Sequence, residues 1–314
     1  VDTVTSPEKF DLLAIELSSF QIEWSDLATF ESCAVLNIAD DHIDWHESFE
    51  NYANAKMKLM SRSKLSVLNL NDPEVTLRAA ALQGKKVFFG LDTPQAGEIG
   101  LVENLLIDRA FVSDTSKAEA FAELEDIKPT VPHNVSNAMA AAGVALSLGV
   151  PHPVVNEGLK KFKIDHHRLE LVASIEGVDW VDDSKATNPH AAKAALSSYN
   201  SVIWIAGGLA KGAKMADLIR KSAPRIKAAI LIGTDRDLIA NELKNFAPQV
   251  TIHLLDKTGS STDFMDEVVK IAASLSNTGD TVLLAPACAS MDQFKSYAER
   301  GELFANSVRK LARK

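Results

Sequence analysis

The sequence lacks several features that would assign it quickly to a class of protein. Its only two cysteines, Cys33 and Cys288, lie far apart without metal-ligand spacing, so we expect buried, reduced thiols. It has no apolar run long enough to span a bilayer and no secretory signal pattern, which indicates a cytoplasmic protein without membrane insertion. A formal net charge of −9 argues against a nucleic-acid-binding protein.

An initiator methionine, internal repeats and low-complexity tracts are also absent. The chain starts at Val1-Asp2 and reads as a piece of a longer protein. Its 314 residues predict about two domains, and 46% hydrophobic with 24% charged residues is typical of a globular protein.

Short β-rich runs alternate with helical patterns, which predicts an α/β fold with mainly parallel sheets. The predicted strands are 12–17, 34–38, 65–70, 86–89, 178–181, 201–206, 228–232, 250–255 and 281–285. The predicted helices are 49–61, 134–148, 154–161, 189–198, 215–221, 236–246, 261–274 and 291–311. Residues 95–130 favour a small β excursion. We place the domain boundary in the basic segment Lys160 to His167, which gives domains 1–164 and 165–314.

The richest chemistry lies in the segment from Asp182 to Pro189, between a predicted strand and a predicted helix. It contains two carboxylates, an ammonium, two hydroxyls and an amide. The carboxyl ends of parallel strands, where helices begin, are the edge at which open α/β sheets bind anionic ligands. A capped turn with an incidental lysine is the structural alternative.

Other polar residues lie at similar places, and each has a structural alternative. Glu16 is compatible with a role as a magnesium ligand or as a helix cap. His42 is compatible with a role as a metal ligand or as a hydrogen-bonding group of a loop. The structural alternative for Lys56 is a solvated position on a helix, and for Asn134 it is an N-cap. Ser290 is compatible with an anion-binding site or with the capped start of a helix.

In order, these segments resemble the motifs of the Mur ligase family. The resemblance runs from about residue 10 to the C-terminus, in Glu16-Leu17-Ser18-Ser19-Phe20-Gln21, Asp41-His42, Ala55-Lys56, His133-Asn134-x-x-Asn137, His167-Arg168, Asp183 to Pro189, Gly207-Gly208-x-x-Lys211-Gly212 and Ser290-x-Asp292-Gln293-Phe294. Within the family, Ser184 to Asn188 and Pro286 to Ser290 look like the D-glutamate-adding member.

The resemblance implies a partial P-loop-type ATPase domain followed by a Rossmann-like, doubly wound domain. It also implies ATP-dependent ligation of D-glutamate to UDP-N-acetylmuramoyl-L-alanine, through an acyl phosphate and with Mg²⁺, by a monomer. The implied catalytic residues are Lys56, His42 and Lys185, and the implied metal ligands are Glu16, His42 and Lys56, the last carbamylated. The implied nucleotide contacts are Asn134, Asn137, Arg168 and Asp183, and the implied substrate contacts are Ser18, Gln21, Thr187, Lys211, Ser290, Met291 and Tyr297.

The sequence departs from the family pattern in one respect. No GxxxxGK[ST] motif occurs in it, and the family's UDP-binding domain has no counterpart. We therefore expect the chain as given to be inactive by itself. Two alternatives stay open, namely a folylpolyglutamate synthase-like ligase and a non-catalytic protein that binds a nucleotide or an amino acid.

Overall fold

A computed structural model describes residues 9–114 and 116–313, which form two six-stranded sheets covered by helices. The predicted α/β class with mainly parallel sheets is confirmed. No helix within the described ranges is both long and apolar enough to cross a membrane.

The first sheet has the strand order β1-β2-β3-β4-β5-β6. Its first four strands are parallel, and β5 and β6 extend it by antiparallel pairing. Strands β4 to β6 are the small β excursion that was predicted for residues 95–130. The strands are β1 (Phe30–Val35), β2 (Ser63–Asn69), β3 (Lys85–Phe89), β4 (Glu98–Val102), β5 (Leu105–Asp108) and β6 (Glu119–Glu123). The helices are α1 (Ser19–Trp24), α2 (Ile43–His46), α3 (Phe49–Ser61), α4 (Pro73–Ala81), α5 (Pro132–Ser147) and α6 (His152–Lys161).

Strand β2 shows why this sheet is covered on both faces. Val67 packs into a core with Met139 of α5, whereas the next residue, Leu68, packs with Met57 of α3 and Val75 of α4. Successive side chains of a strand point to opposite faces, so two apolar neighbours in a row require a helix layer on each side.

The second sheet has the order β11-β10-β9-β12-β8-β7, with all pairs parallel except β7 with β8. Its strands are β7 (Glu170–Ile175), β8 (Val178–Asp182), β9 (Val202–Gly207), β10 (Ile226–Ile232), β11 (Thr251–Leu254) and β12 (Thr281–Leu284). Its helices are α7 (Pro189–Ser197), α8 (Ala216–Ser222), α9 (Arg236–Phe246), α10 (Ser261–Leu275) and α11 (Tyr297–Leu311).

All residues of β9 are buried. Trp204 and Ala206 enter the core on one face, and Ile203 and Ile205 enter the core on the other. Since β9 is central and has helices on both sides, its continuous apolar run matches a doubly wound sheet.

Three sequence predictions need correction. Residues 12–17 form no strand, and Leu12, Leu13 and Ile15 are exposed. An apolar run becomes a strand only where a neighbour satisfies its backbone, and none of the described strands pairs with this run. The last helix begins at Tyr297 rather than Met291, because Ser296 caps it.

The third correction concerns the start of the helix predicted over 134–148, where an N-cap was the structural alternative for Asn134. Helix α5 begins earlier, with Val131 at the N-cap and Pro132 in the first turn. Asn134 is buried inside that turn, and its side-chain amide donates to the carbonyl of Pro129 at 2.9 Å.

Candidate active site

The carboxyl ends of β8, β9, β10 and β12 lie at one edge of the second sheet, because these strands are parallel. The loops that follow them carry most of the residues predicted to bind an acceptor or a nucleotide. Their backbones are hydrogen-bonded to one another, so the edge is a single surface built from separate parts of the chain.

Strand β8 ends at Asp182 and the loop after it begins with Asp183 and Ser184, and all three residues are buried. Helix α7 is capped by Asn188, whose side chain accepts from the amide of Ala191. The two carboxylates are therefore not used as N-caps. The interpretation of this segment as a capped turn therefore explains Asn188, but it does not explain Asp182 and Asp183.

Burial has a large effect on Asp183. The pKa of that carboxyl is raised to about 8, mainly by burial and also by the neighbouring charge of Asp182, while the amide of Leu169 and the charge of Arg168 act in the opposite direction. Asp182 instead bonds His167, with Nδ1 and Oδ2 2.7 Å apart, and this bond holds the pKa of His167 above its usual value. Asp183 therefore lies beside the hydrogen-bonded pair of Asp182 and His167.

Backbone hydrogen bonds join the loops. The amide of Ala287, after β12, donates to the carbonyl of Ala186, after β8, at 2.9 Å. Leu209, after β9, and Ala289 exchange two hydrogen bonds of 2.9 and 3.0 Å. These contacts bring the loops of Lys185, Lys211 and Ser290 side by side.

The predicted acceptor side chains differ in exposure. Lys185 is half-buried, with Nζ 4.0 Å from the ring centroid of Tyr297, and Thr187 is half-buried as well. Ser290 is buried and lies before α11 without capping it, which removes the helix-cap interpretation. Lys211 is exposed, and Met291 is 64% exposed. Their roles at a shared acceptor site remain a prediction.

Arg300 of α11 is fully buried and connects two of these loops. Its guanidinium donates to the hydroxyl and carbonyl oxygens of Ser184, each at 2.9 Å, and to the carbonyl of Cys288 at 3.3 Å. Burial lowers its pKa to about 10. The sequence alone did not reveal this role of Arg300, because its partners lie 116 and 12 residues away.

The predicted metal ligands belong to the first half of the chain. Glu16 and His42 are exposed, and His42 has a left-handed backbone with φ of 53°. Lys56 of α3 is half-buried, with Nζ 2.7 Å from the carbonyl oxygen of Asn37. Burial lowers the pKa of Lys56, although the charges of Asp72 and Asp41 oppose this.

Within the described part of the chain, Glu16 and His42 belong to no set of three acidic, histidine or cysteine side chains that converges as metal ligands. Among residues 9–114 and 116–313, such a set consists of His167, Glu170 and Asp182. A carbamate on Lys56 would add the oxygen ligands that Mg²⁺ prefers, so the predicted donors fit that ion only with this modification.

Ser18 and Gln21 have a structural role that the sequence did not reveal. They form a capping box at the start of α1, in which the Ser18 side chain accepts from the amide of Gln21 and the Gln21 side chain accepts from the amide of Ser18. Both residues are exposed, so they remain accessible for the predicted substrate contacts.

Asn134 and Asn137 line a cavity of about 330 Å³ between α5 and α6. The rest of its lining is mainly aliphatic, including Ala138, Val155 and Leu159. A mostly apolar cavity with a few amides suits a flat heterocycle. Arg168, the predicted phosphate contact, is exposed in the segment that joins α6 to β7.

Comparison with known proteins agrees with this architecture. Residues 3–145 match the Mur ligase middle domain, and residues 167–288 match the Mur ligase, glutamate ligase domain. The UDP-N-acetylmuramoylalanine--D-glutamate ligase of Thermobifida fusca is 48% identical over 98% of this chain and 66% of its own length. Its counterpart from Streptomyces coelicolor is 47% identical over 99% of this chain and 67% of its own length. The chain thus spans about two thirds of these curated relatives.

Solved structures share the fold at low sequence identity. A pseudomurein peptide ligase type C from Methanothermus fervidus has a TM-score of 0.65 at 18% identity, covering 90% of this chain and 63% of that one. A bifunctional folylpolyglutamate synthase/dihydrofolate synthase from Yersinia pestis has a TM-score of 0.57 at 17% identity, covering 90% and 61%. The two family domains, together with 47% identity over 99% of this chain and 67% of the Streptomyces coelicolor relative, show that the chain belongs to the Mur ligase family.

Proposed function

We propose that the protein carrying this chain is an ATP-dependent ligase that joins D-glutamate to UDP-N-acetylmuramoyl-L-alanine in the cytoplasm. The observation that carries the proposal is the joined edge of the second sheet, where the loops of Lys185, Lys211 and Ser290 are hydrogen-bonded neighbours. Two ammonium groups and a buried hydroxyl on adjoining loops suit a small dicarboxylate such as glutamate. The names of the two bacterial relatives agree with this acceptor.

The residues of this edge would act mainly by positioning and by charge. The amine of the acceptor attacks an acyl phosphate, and negative charge then develops on the carbonyl oxygen and the departing phosphate. Fixed cations such as Lys185 and Arg168 would stabilise that charge more than the charge of the ground state, which lowers the barrier. Buried Asp183 would accept or donate a hydrogen bond at the nucleotide ribose.

We place Mg²⁺ at Glu16, His42 and a carbamylated Lys56. Carbamate formation requires the neutral amine of lysine, and the lowered pKa of Lys56 increases the fraction of that form. The bound ion would supply charge neutralisation for phosphoryl transfer. Mass spectrometry of the native protein in bicarbonate buffer would detect the carbamate as an added CO₂ on Lys56, absent from Lys56→Ala.

The cavity between α5 and α6 supports a nucleotide site. Its amides, Asn134 and Asn137, match the donors and acceptors on the edge of adenine, and its aliphatic lining suits the ring faces. Ser18 and Gln21, exposed at the start of α1, would contact the muramoyl substrate. Thr187, Met291 and Tyr297 would border the acceptor.

The acceptor assignment is tested by Lys211→Ala in the whole protein that carries this chain. We expect the KM for D-glutamate to rise roughly tenfold or more, with the KM for ATP changed by less than about twofold, because one charge-assisted contact to the acceptor is lost. Lys214→Ala is the matched control, since Lys214 is an exposed lysine of the same loop. A rise in the KM for ATP without a change for D-glutamate would contradict the assignment.

The folylpolyglutamate synthase-like alternative shares the fold and also adds glutamate. The same assay separates the two functions when D- and L-glutamate are compared as acceptors. Use of the D-isomer supports the proposal, and use of the L-isomer supports the alternative. Binding of nucleotide or glutamate without any turnover by the whole protein would support a non-catalytic binding protein.

A further inference from the structure

Asp235 occupies the N-cap of α9 but makes no side-chain hydrogen bond to that helix. Aspartate is favoured at N-caps because its carboxylate accepts from the amides of the first turn. Here Oδ2 accepts instead from the amide of Ala210, at 2.7 Å, in the loop after β9. The carboxylate therefore stabilises a loop of another strand rather than its own helix.

The same loop is held from a second direction by the backbone of Asp235. Its amide donates to the carbonyl of Gly208 at 3.0 Å. Residues 208 and 210 are thus both fixed by Asp235, and Lys211 follows directly, with a left-handed φ of 49°. A non-glycine residue in that conformation is strained, so its surroundings must hold it there.

Asp235 is itself connected to the loop of Ser290. The amide of its neighbour Thr234 donates to Oδ2 of Asp292 at 2.8 Å. Asp292 lies two residues after Ser290, so the two carboxylates link the ends of β10, β9 and β12. Neither carboxylate forms an ion pair among the described residues, and their hydrogen bonds go to backbone amides.

We propose that Asp235 is a positioning residue that fixes Lys211 for binding of the acceptor carboxylate. This inference rests on the proposed function, in which Lys211 contacts D-glutamate. The lysine side chain is long and exposed, so the direction of its first bonds depends on the backbone of residues 210 and 211. When no carboxylate accepts from the Ala210 amide, that backbone can leave its strained conformation. The side chain of Lys211 is then no longer held in one direction.

The experiment compares three substitutions of Asp235 in the whole protein. Asp235→Ala removes the acceptor of the Ala210 amide. Asp235→Asn keeps an oxygen at the same distance. Asp235→Ser restores a good N-cap for α9 but is too short to reach Ala210, which separates helix capping from loop positioning.

We expect Asp235→Ala and Asp235→Ser to raise the KM for D-glutamate by roughly tenfold, with the KM for ATP within about twofold of wild type. Asp235→Asn should restore the KM for D-glutamate to near the wild-type value. Ser260→Ala is the control, because Ser260 caps α10 through the amide of Asp263 and lies outside the proposed site. It should lower Tm and leave both KM values unchanged.

Equal KM values for Asp235→Ala and wild type would overturn the inference, as would a parallel rise for ATP or the same defect in Asp235→Asn. If Asp235→Ala does not fold, Asp235→Ser gives the same comparison. Hydrogen exchange at the Ala210 amide tests positioning without any substrate, and we expect faster exchange in the alanine and serine variants. Unchanged exchange would overturn positioning, whereas a wild-type protein that does not use D-glutamate would overturn the proposed function.

Discussion

Asp183 is a carboxylic acid that the fold keeps neutral over much of the physiological pH range. Its pKa rises from an ordinary 3.8 to about 8 on burial. The folded protein therefore holds a proton that the unfolded chain releases between those two values. Since the unfolded state binds fewer protons in that window, the stability supplied by neutral Asp183 is complete below about pH 4 and is lost as pH rises towards 8.

Asp183→Asn tests this pH dependence, because asparagine mimics the neutral acid at every pH. We expect wild type to lose stability relative to the variant by on the order of 4 kcal/mol between about pH 5 and pH 8. Urea unfolding of both proteins at the two pH values measures the difference, and other titrating groups cancel in the comparison. An equal difference at both pH values would show that Asp183 is ionised in the fold.

Residue types were easier to predict than residue contacts. The chemistry of the segment from Asp182 to Pro189 was visible in the sequence because six functional groups follow one strand. The role of Asp235 was not, because its partner Ala210 is 25 residues away and depends on the neighbouring ends of β9 and β10. The metal ligands Glu16, His42 and Lys56 stay a prediction for the same reason.

Among the elements, β9 and residues 12–17 show the limit of pattern reading. Both are short apolar runs, and the first is a fully buried central strand while the second is irregular and largely exposed. The composition of a segment shows that it is able to form a strand, but it forms one only where a neighbouring strand pairs with it. The helices were predicted more closely, and α3 and α9 have the predicted bounds, because helix hydrogen bonds are local.

The turn after β9 depends on glycine. Gly208 has φ of 132°, and a Cβ atom there would collide with the carbonyl oxygen of Ala289. We expect Gly208→Ala to lower the free energy of unfolding by about 2 kcal/mol or more, since both the conformation and the space exclude a side chain.

Gly158, inside α6, is the control for that substitution. It has an ordinary φ, and an added Cβ would meet nothing within 4 Å. Gly158→Ala should therefore raise the free energy of unfolding by about 0.5 to 1 kcal/mol. Urea denaturation of both variants gives the comparison, and a Gly208→Ala protein as stable as wild type would contradict the described turn.

At the scale of the whole molecule, each sheet has its own pair of apolar cores. Of the buried residues in the two cores of the second sheet, Val131 is the one that comes from before residue 165. The boundary between residues 164 and 165 stays a prediction, and the side chains of Asn188 and Asp41 approach to 3.4 Å across it. The sequence predicts the boundary there because strand-helix alternation restarts after the basic segment Lys160 to His167.

We expect the second sheet and its helices to fold without the first. Trypsin should cleave after exposed Lys163 under mild conditions and release a carboxyl-terminal piece that still unfolds cooperatively. Circular dichroism of the purified piece during heating is the measurement. Aggregation, or a melting curve without a transition, would show that the sheets depend on each other.

The paired hydrogen bonds between Leu209 and Ala289, with the bond from Ala287 to Ala186, have a consequence for motion. No single loop at this edge can lift away without breaking bonds to its neighbours. The three loops therefore unfold locally with one shared free energy, and their backbone amides exchange hydrogen with solvent as one cooperative unit. Under the proposed function, an incoming amino acid would meet a preformed surface rather than a loop that closes over it, and the fixed spacing of the groups on that surface would decide which acceptor binds.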